Sequence, residues 1–256
     1  MSFTGNFADK VVLITGASSG IGKATAIKAA TCGATLALAD INGPALEEVL
    51  NICEKSSTIK ASHLKYTLDV SAAHDCASFM EATVKAFGRI DYVFSCAGIN
   101  PTSVPIESVS DEYWDKLMNT NLRGTFNICR VCLPHMQSGS AIVNVSSVCG
   151  NYPVANFSVY CAAKYAVIGF SKSVALEVGP RGIRVNVVAP GYTDTPTNVS
   201  VRTGAEAMQR TAESVGMKRM GHADEIANTV LFLFSEQSSY MNGAVVDVDG
   251  GVGMLG

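Results

Sequence analysis

The sequence has no long apolar run. Its longest aliphatic or aromatic stretches are short, as at Val11–Ile14 and Val230–Phe234. A membrane-spanning helix needs about 20 apolar residues, so none is expected. Nor is there an excess of positive charge: 19 Lys and Arg stand against 22 Asp and Glu, a formal net charge of −3. Without a basic surface to neutralise phosphates, nucleic acid is not expected as a partner. Residues Met1 to Lys10 lack both a charged segment leading into an apolar stretch and an Arg-rich amphipathic pattern. The end of the chain, Gly253-Met254-Leu255-Gly256, matches no retention or lipidation signal. Together these absences predict a cytoplasmic protein that does not associate with membranes.

Cysteine is present, but its usual partners are missing. There are eight: Cys32, Cys53, Cys76, Cys96, Cys129, Cys132, Cys149 and Cys161. Without a secretion signal, thiols are expected to stay reduced. Cys129 and Cys132 have CxxC spacing, yet no second Cys/His pair lies nearby at zinc spacing, and Arg130-Val131 between them reads as apolar helix. Core thiols and no metal site are expected.

What the sequence does contain is regular alternation. Its 256 residues, 48% of them hydrophobic, allow one large domain or two small ones. Apolar, β-branched runs at 11–15, 35–39, 64–69, 92–96, 141–146, 184–189 and 244–248 mostly lack a polar face. That is the pattern of parallel strands covered on both sides. Helical patterns lie between them near 21–32, 44–54, 72–87, 111–136, 158–178 and 223–234. The alternation predicts a doubly wound, mostly parallel seven-stranded α/β sheet with helices on both faces, of Rossmann type. No Pro/Gly/Ser-rich tract or charge block divides the chain, so 1–256 is read as a single dinucleotide-binding domain. The least regular stretch, 192–216, contains Thr193, Thr195, Pro196, Thr197, Asn198, Thr203 and Gly204, and is a candidate lid.

Thr15-Gly16-Ala17-Ser18-Ser19-Gly20-Ile21-Gly22 follows the first strand and opens the first helix. Glycines there allow a tight turn and a close approach to a pyrophosphate, which then meets the free N–H groups of the helix N-terminus. An ordinary strand–helix turn would also explain them. The context adds weight, because Asp40 ends the second strand 18 residues after Gly22. A carboxylate at that point either accepts hydrogen bonds from the adenosine ribose hydroxyls or caps the next turn. No Arg or Lys precedes Gly22 in the turn, and Ile41-Asn42 supplies none after the acid, which favours NAD over NADP.

Tyr160-Cys161-Ala162-Ala163-Lys164 sits on a predicted helix, with phenol and ammonium one turn apart on one face. The spacing predicts that Lys164 draws the phenol pKa down toward neutrality and makes it a general acid or base. Taken alone, such a pair usually means surface packing. Thirteen residues upstream, Ser146-Ser147 ends the fifth strand, as a turn or as a hydroxyl for a substrate oxygen.

With these residues in hand, the sequence resembles the short-chain dehydrogenase/reductase family over essentially its whole length. The likeness rests on the Thr15–Gly22 turn, Asp69-Val70, Ala97-Gly98, Asn121-Leu122-Arg123-Gly124, Ser147, Tyr160 with Lys164, and Pro190-Gly191. It implies a hydride transfer between NAD(H) and a secondary alcohol or ketone. It also implies that Tyr160 moves the hydroxyl proton and Ser147 bonds the substrate oxygen. Lys164 would bind the nicotinamide ribose and tune Tyr160, and Asn121 would hold its helix and anchor a relaying water. Further, it implies cofactor contacts from Gly16, Ser18, Ser19, Gly20, Ile21, Gly22, Asp40 and Ile41, and from Asp69 and Val70 at the adenine. Ala97, Gly98, Tyr160 and Lys164 would follow, with Pro190, Gly191, Thr193 and Thr195 flanking the carboxamide. One departure is visible: Ser95-Cys96-Ala97-Gly98 stands where the family often has Asn-Asn-Ala-Gly, which removes amides that steady the central sheet.

The segment Val148, Cys149, Gly150, Asn151, Tyr152, Pro153, with Phe157, Tyr192 and the lid, is expected to line a substrate pocket for an uncharged, ring-shaped ketone or alcohol. Arg202 and Arg210 are read as solvated, though they could meet an acid. The resemblance further implies a homotetramer, with helices near 111–136 and 158–178 packing across a subunit boundary. Two rival readings remain: a 3-oxoacyl-thioester reductase, which usually takes NADPH and meets an acidic carrier through basic residues, and a non-catalytic dinucleotide sensor.

Overall fold

A computed structural model describes residues 5–59, 62–196 and 205–252. Seven strands form one parallel sheet: β1 (Val11–Thr15), β2 (Thr35–Asp40), β3 (Leu64–Thr67), β4 (Ile90–Ser95), β5 (Met136–Val145), β6 (Arg184–Pro190) and, at the far edge, Val245–Val248. Two short strands, β7 (Thr193–Asp194) and β8 (Gly221–His222), pair with each other outside it, so the edge strand is β9. The order is β3-β2-β1-β4-β5-β6-β9, and every pairing is parallel.

The central strands lack a polar face because both of their faces are covered, whereas edge strand β3 exposes Lys65 and Thr67. Val12, Ile14, Leu36, Leu38, Tyr92 and Phe94 pack on one side against α1 (Gly20–Thr31), α2 (Gly43–Ser56) and α8 (Ala223–Phe234). Leu13, Ala37, Val93 and Ile142 point the other way, against α3 (Ala73–Phe87), α5 (Gly124–Cys132) and α6 (Ser158–Val178). Period-two side-chain alternation thus feeds two apolar layers from one set of strands. Polar bonds cross the second layer as well: Asn144 Nδ2 donates to Ser171 Oγ at 2.9 Å, tying β5 to α6.

The helix expected over 111–136 is not continuous. It divides into α4 (Asp111–Met118), a π-helical turn (Asn119–Arg123), α5, and a 3₁₀ turn (Leu133–His135), and β5 begins at Met136. A π turn inserts an extra residue into the helical ladder, which breaks the 3.6-residue pattern at Asn121. α7 (Ala205–Glu213) lies in the predicted lid. Thr197, Asn198, Arg202, Thr203 and Gly204 lie outside the described residues, as does the 253–256 segment.

Candidate active site

The chain order of the sheet reverses between β1 and β4, whose ends meet at Thr15 and Ser95. Open parallel sheets leave a crevice at the carboxyl ends of strands at such a point. A cavity of about 670 Å³ opens there.

One end of the cavity is built by the glycine turn. Gly16 and Gly20 take left-handed φ values of 67° and 52°. A Cβ at Gly16 would stand 2.9 Å from the backbone of Ala97, and one at Gly22 would collide with the Gly16 carbonyl oxygen. The turn therefore folds flat against the strand beside it. The helix it opens is uncapped: Ser19, the N-cap of α1, makes no side-chain cap bond, and the first turn has no acidic residue. The starts of α3 and α6 likewise lack a side-chain cap, whereas Asn42 caps α2 and Ser110 caps α4 through their side chains, and His222 with Glu225 caps α8. An uncapped helix start leaves backbone N–H groups and the positive end of the helix dipole available to an anion. Ser19, Gly20 and Ile21 line the cavity beside it.

Asp40 caps its turn and also lines the cavity. Its Oδ1 accepts from Asn42 N at 2.9 Å, as a turn cap, and its Oδ2 accepts from Ser18 N at 3.0 Å, while the residue lines the cavity. Ile41, 70% exposed, lines it too. Two residues expected at the cofactor, Ser18 and Gly22, are not on the cavity wall. The Ser18 amide is turned onto Asp40, and Gly22 is packed beneath the Gly16 carbonyl. The others, Asp69, Val70, Ala97, Gly98, Pro190, Gly191, Thr193 and Thr195, all line it.

At the opposite end Ser147, Tyr160, Lys164 and Asn121 are brought together on the same cavity. The Ser147 side chain stands close enough to Tyr160 to favour its phenolate. Lys164 Nζ donates to Val145 O at 3.1 Å and lies 5.6 Å from the centroid of the Tyr160 ring. Asn121, in the π turn, uses both ends of its amide on one residue: Oδ1 accepts from Ile99 N at 2.9 Å, and Nδ2 donates to Ile99 O at 3.0 Å. It thereby fastens the α4–α5 junction to the chain leaving β4.

Two residues of the sequence motifs act here as supports through hydrogen bonds that the motifs do not specify. Thr15 Oγ1 accepts from both Cys96 N and Ala97 N at 3.2 Å, so a hydroxyl on β1 steadies the turn that lacks the family's asparagines. Ser146 Oγ donates to Lys164 O at 2.9 Å and pins α6 at the lysine. Val148, Cys149, Tyr152, Phe157 and Tyr192 line the cavity as expected, joined by Ile99, Pro101, Val154 and Val252. Gly150 and Asn151 do not: a Cβ on Gly150 would run into Ser146 Oγ, and the Asn151 amide donates to Asp247 Oδ1 at 2.5 Å. Pro153 is likewise off the wall, and Arg210 is exposed on α7.

The comparisons with known proteins agree with this geometry. A family model described as enoyl-(acyl carrier protein) reductase matches residues 16–253. A levodione reductase of Leifsonia aquatica is 39% identical over 97% of this chain and 96% of its own. A 3-oxoacyl-[acyl-carrier-protein] reductase of Thermotoga maritima is 37% identical over 95% and 97%. A crystal structure of levodione reductase superposes with a TM-score of 0.91, at 38% identity over 96% of this chain and 98% of that one. The chain belongs to the short-chain dehydrogenase/reductase family. It is therefore an oxidoreductase, of a family that uses nicotinamide dinucleotides.

Electrostatics in this short-chain dehydrogenase/reductase run against one expectation. Instead of drawing the Tyr160 phenol toward neutrality, the site raises its pKa above the usual 10, because burial disfavours the phenolate; the Ser147 side chain opposes this only in part. Burial also lowers the Lys164 ammonium to about 8. The cysteines of the cleft follow the same rule, with Cys96 pushed up to about 12 and Cys149 to about 11 by burial.

The lysine shift has a sign that can be measured. Between about 8 and the ordinary 10.5, the folded protein binds fewer protons at Lys164 than the unfolded chain does. Stability must then rise with pH across that window, and below about 8 the buried ammonium exerts its full cost. In nucleotide-free protein, the urea-unfolding free energy of wild type relative to Lys164→Met is expected to increase from about pH 7.5 to about pH 9.5. A flat or falling difference would contradict the depressed value.

Proposed function

We propose that the protein transfers a hydride between NAD(H) and a secondary alcohol or ketone, the whole chain acting as one dinucleotide-binding unit. The observation that carries this reading is the polarity of a single cavity. An uncapped helix start and Asp40 stand at one end, and Ser147 and Tyr160 beside Lys164 at the other. The residues present fit such a cofactor. The α1 N-terminus suits a pyrophosphate, and the Asp40 carboxylate suits ribose hydroxyls and repels a 2′-phosphate. Bound there, the dinucleotide supplies the redox chemistry and, when oxidised, a positive charge.

The protein's own part is orientation and proton transfer. Ser147 Oγ and the Tyr160 hydroxyl converge on one substrate oxygen. Burial keeps Tyr160 protonated at neutral pH, ready to give its proton to a carbonyl oxygen as negative charge develops there. Lys164, held by Val145 O, supplies ribose binding and positive charge beside the phenol. Asn121 keeps the Ile99 backbone, and with it the cavity roof, in place. A 3-oxoacyl-thioester substrate, as in the Thermotoga relative's name, fits less well, since Asp40 and a net charge of −3 suit neither NADPH nor an acidic carrier. A mere dinucleotide sensor would have no use for the Ser147–Tyr160 pair.

We further place the protein in the cytoplasm, where eight unpaired thiols suit a reducing medium, and in a homotetramer. Trp114 on α4, Phe126 on α5 and Leu176 on α6 are exposed, Leu176 by 80%. Phe126 meets Phe170 edge-on at 6.2 Å and carries the Arg130 guanidinium over its ring, so α5 and α6 present one apolar surface.

Tyr160→Phe is expected to lower turnover by at least about 10²-fold, the lower range for lost acid–base catalysis, with NADH affinity nearly unchanged; undiminished turnover would remove Tyr160 from its role. Asp40→Ala should reduce the ratio of kcat/KM with NADH to that with NADPH, and an unaltered ratio would mean that another group reads the ribose. Light scattering should give a particle near four times 26.8 kDa; a monomer would refute the assembly.

A further inference from the structure

The walls of the cleft also restrict what can enter it. Beyond Ser147 the substrate end is bounded by Cys149, Tyr152, Phe157 and Tyr192. Cys149 lines the cleft two residues after Ser147, is only 9% exposed and has its backbone N–H bonded to Ser147 Oγ at 3.2 Å, so it stands beside any group attached to a carbon held at Ser147 and Tyr160. This wall cannot retreat easily. The Asn151 amide is bonded to Asp247 on β9, the Tyr165 hydroxyl donates to Asn151 O at 2.6 Å, and Gly150 has no space beneath it.

The wall also carries no charge. Among the described residues lining the cavity, the charged ones are Asp40, Asp69, Lys116 and Lys164. Both acids follow or end strands β2 and β3 near the glycine turn, Lys164 is engaged with Val145 O, and Lys116 is exposed on α4. An anion pressed against Cys149 and Phe157 would lose its hydration and, among the described residues, find no charged partner on that wall.

We infer that the substrate end of the cleft selects a compact, uncharged ketone or secondary alcohol, by preference an alicyclic ring that lies flat among the aromatic side chains, and that Cys149 sets its size limit. This rests on the hydride-transfer reading and narrows it. Cys149 sets that limit through its side chain alone, because its contribution to Ser147, the bond from Cys149 N to Ser147 Oγ at 3.2 Å, also involves backbone that a substitution keeps.

The test compares cyclohexanone and methyl-substituted cyclohexanones with acetoacetate and acetoacetyl-CoA, using NADH and NADPH. The ring ketones are expected to show kcat/KM at least about 10-fold higher, the scale on which an apolar pocket discriminates by a single methylene. Cys149→Ala should lower KM for the bulkier methylated rings by about the same factor, and Cys149→Phe should raise KM for cyclohexanone likewise. Nucleotide affinity, followed by fluorescence titration, should stay unchanged in both and so report an intact fold. Independently of turnover, cyclohexanone should raise the melting temperature of the nucleotide-bound protein, and acetoacetate should not. Preference for the oxo acid or the thioester, size-blind Cys149 variants, or a melting temperature that cyclohexanone leaves unmoved would each overturn the inference and leave hydride transfer standing. No turnover of any class with either nucleotide would defeat both.

Discussion

Lys164 sits at 5% exposure in a cleft whose other walls are largely apolar. An ammonium in such surroundings is driven toward the neutral amine unless acceptors or anions face it. The fold supplies one fixed acceptor, the Val145 carbonyl at the end of β5. Placing that carbonyl requires the register of β5 between β4 and β6. Placing the lysine requires α6 to be pinned by Ser146 Oγ at the Lys164 carbonyl and by Ser171 at Asn144. The same dryness that lowers Lys164 raises Tyr160, so the two groups of the pair are pushed toward their neutral forms together. A site of this kind is prepared for charge that arrives with its ligands, since uncompensated charge is what it lacks.

The nucleotide end obeys the converse logic. Three helices spend side chains on their own N-termini: α2 through Asn42, α4 through Ser110 and α8 through the His222–Glu225 box. α1 spends none, although Ser18 and Ser19 stand at its start. The Ser18 amide is instead given to Asp40, which orients that carboxylate across the mouth of the turn. One hydrogen bond therefore couples the start of α1 to the carboxylate at the end of β2.

Much of this was legible in the residues. Continuous Val/Ile/Leu runs reported strands covered on both faces, and all seven strands of the main sheet follow them. The Tyr160/Lys164 spacing reported a shared helix face. What local patterns could not report was depth. The i, i+4 rule describes proximity on a helix, whereas the direction of the Tyr160 shift is decided by burial against elements far away in sequence. For the same reason a motif fixes the turn, but which of its atoms face the cavity depends on Asp40 and on the packing of α1, which keep Ser18 and Gly22 off the cavity wall. The π turn at Asn121 escaped notice because one inserted residue barely disturbs a long apolar pattern. Thr15, at the end of β1, opens its motif, but its bonds to the turn after β4 show only when β4 is laid beside it.

A sheet shared by many enzymes cannot itself choose a substrate. The choice must come from segments attached beyond the strand ends, which can change without disturbing the layers beneath. Here those are the 148–157 segment and the residues around Tyr192 and Val252. Their freedom is curtailed from an unexpected side. β9, the last strand of the sheet, presents Asp247 to Asn151, and Gly191 is packed so closely on Asp249 that a Cβ would stand 2.7 Å from its Cα. The Asp247 carboxyl is raised by burial and by Asp249, with the Asn151 amide opposing both. The bond from Asn151 thus stabilises an acid that its surroundings disfavour, and in return the acid fixes the loop. In this way the edge strand helps define the shape of the pocket across the sheet from its own outer side.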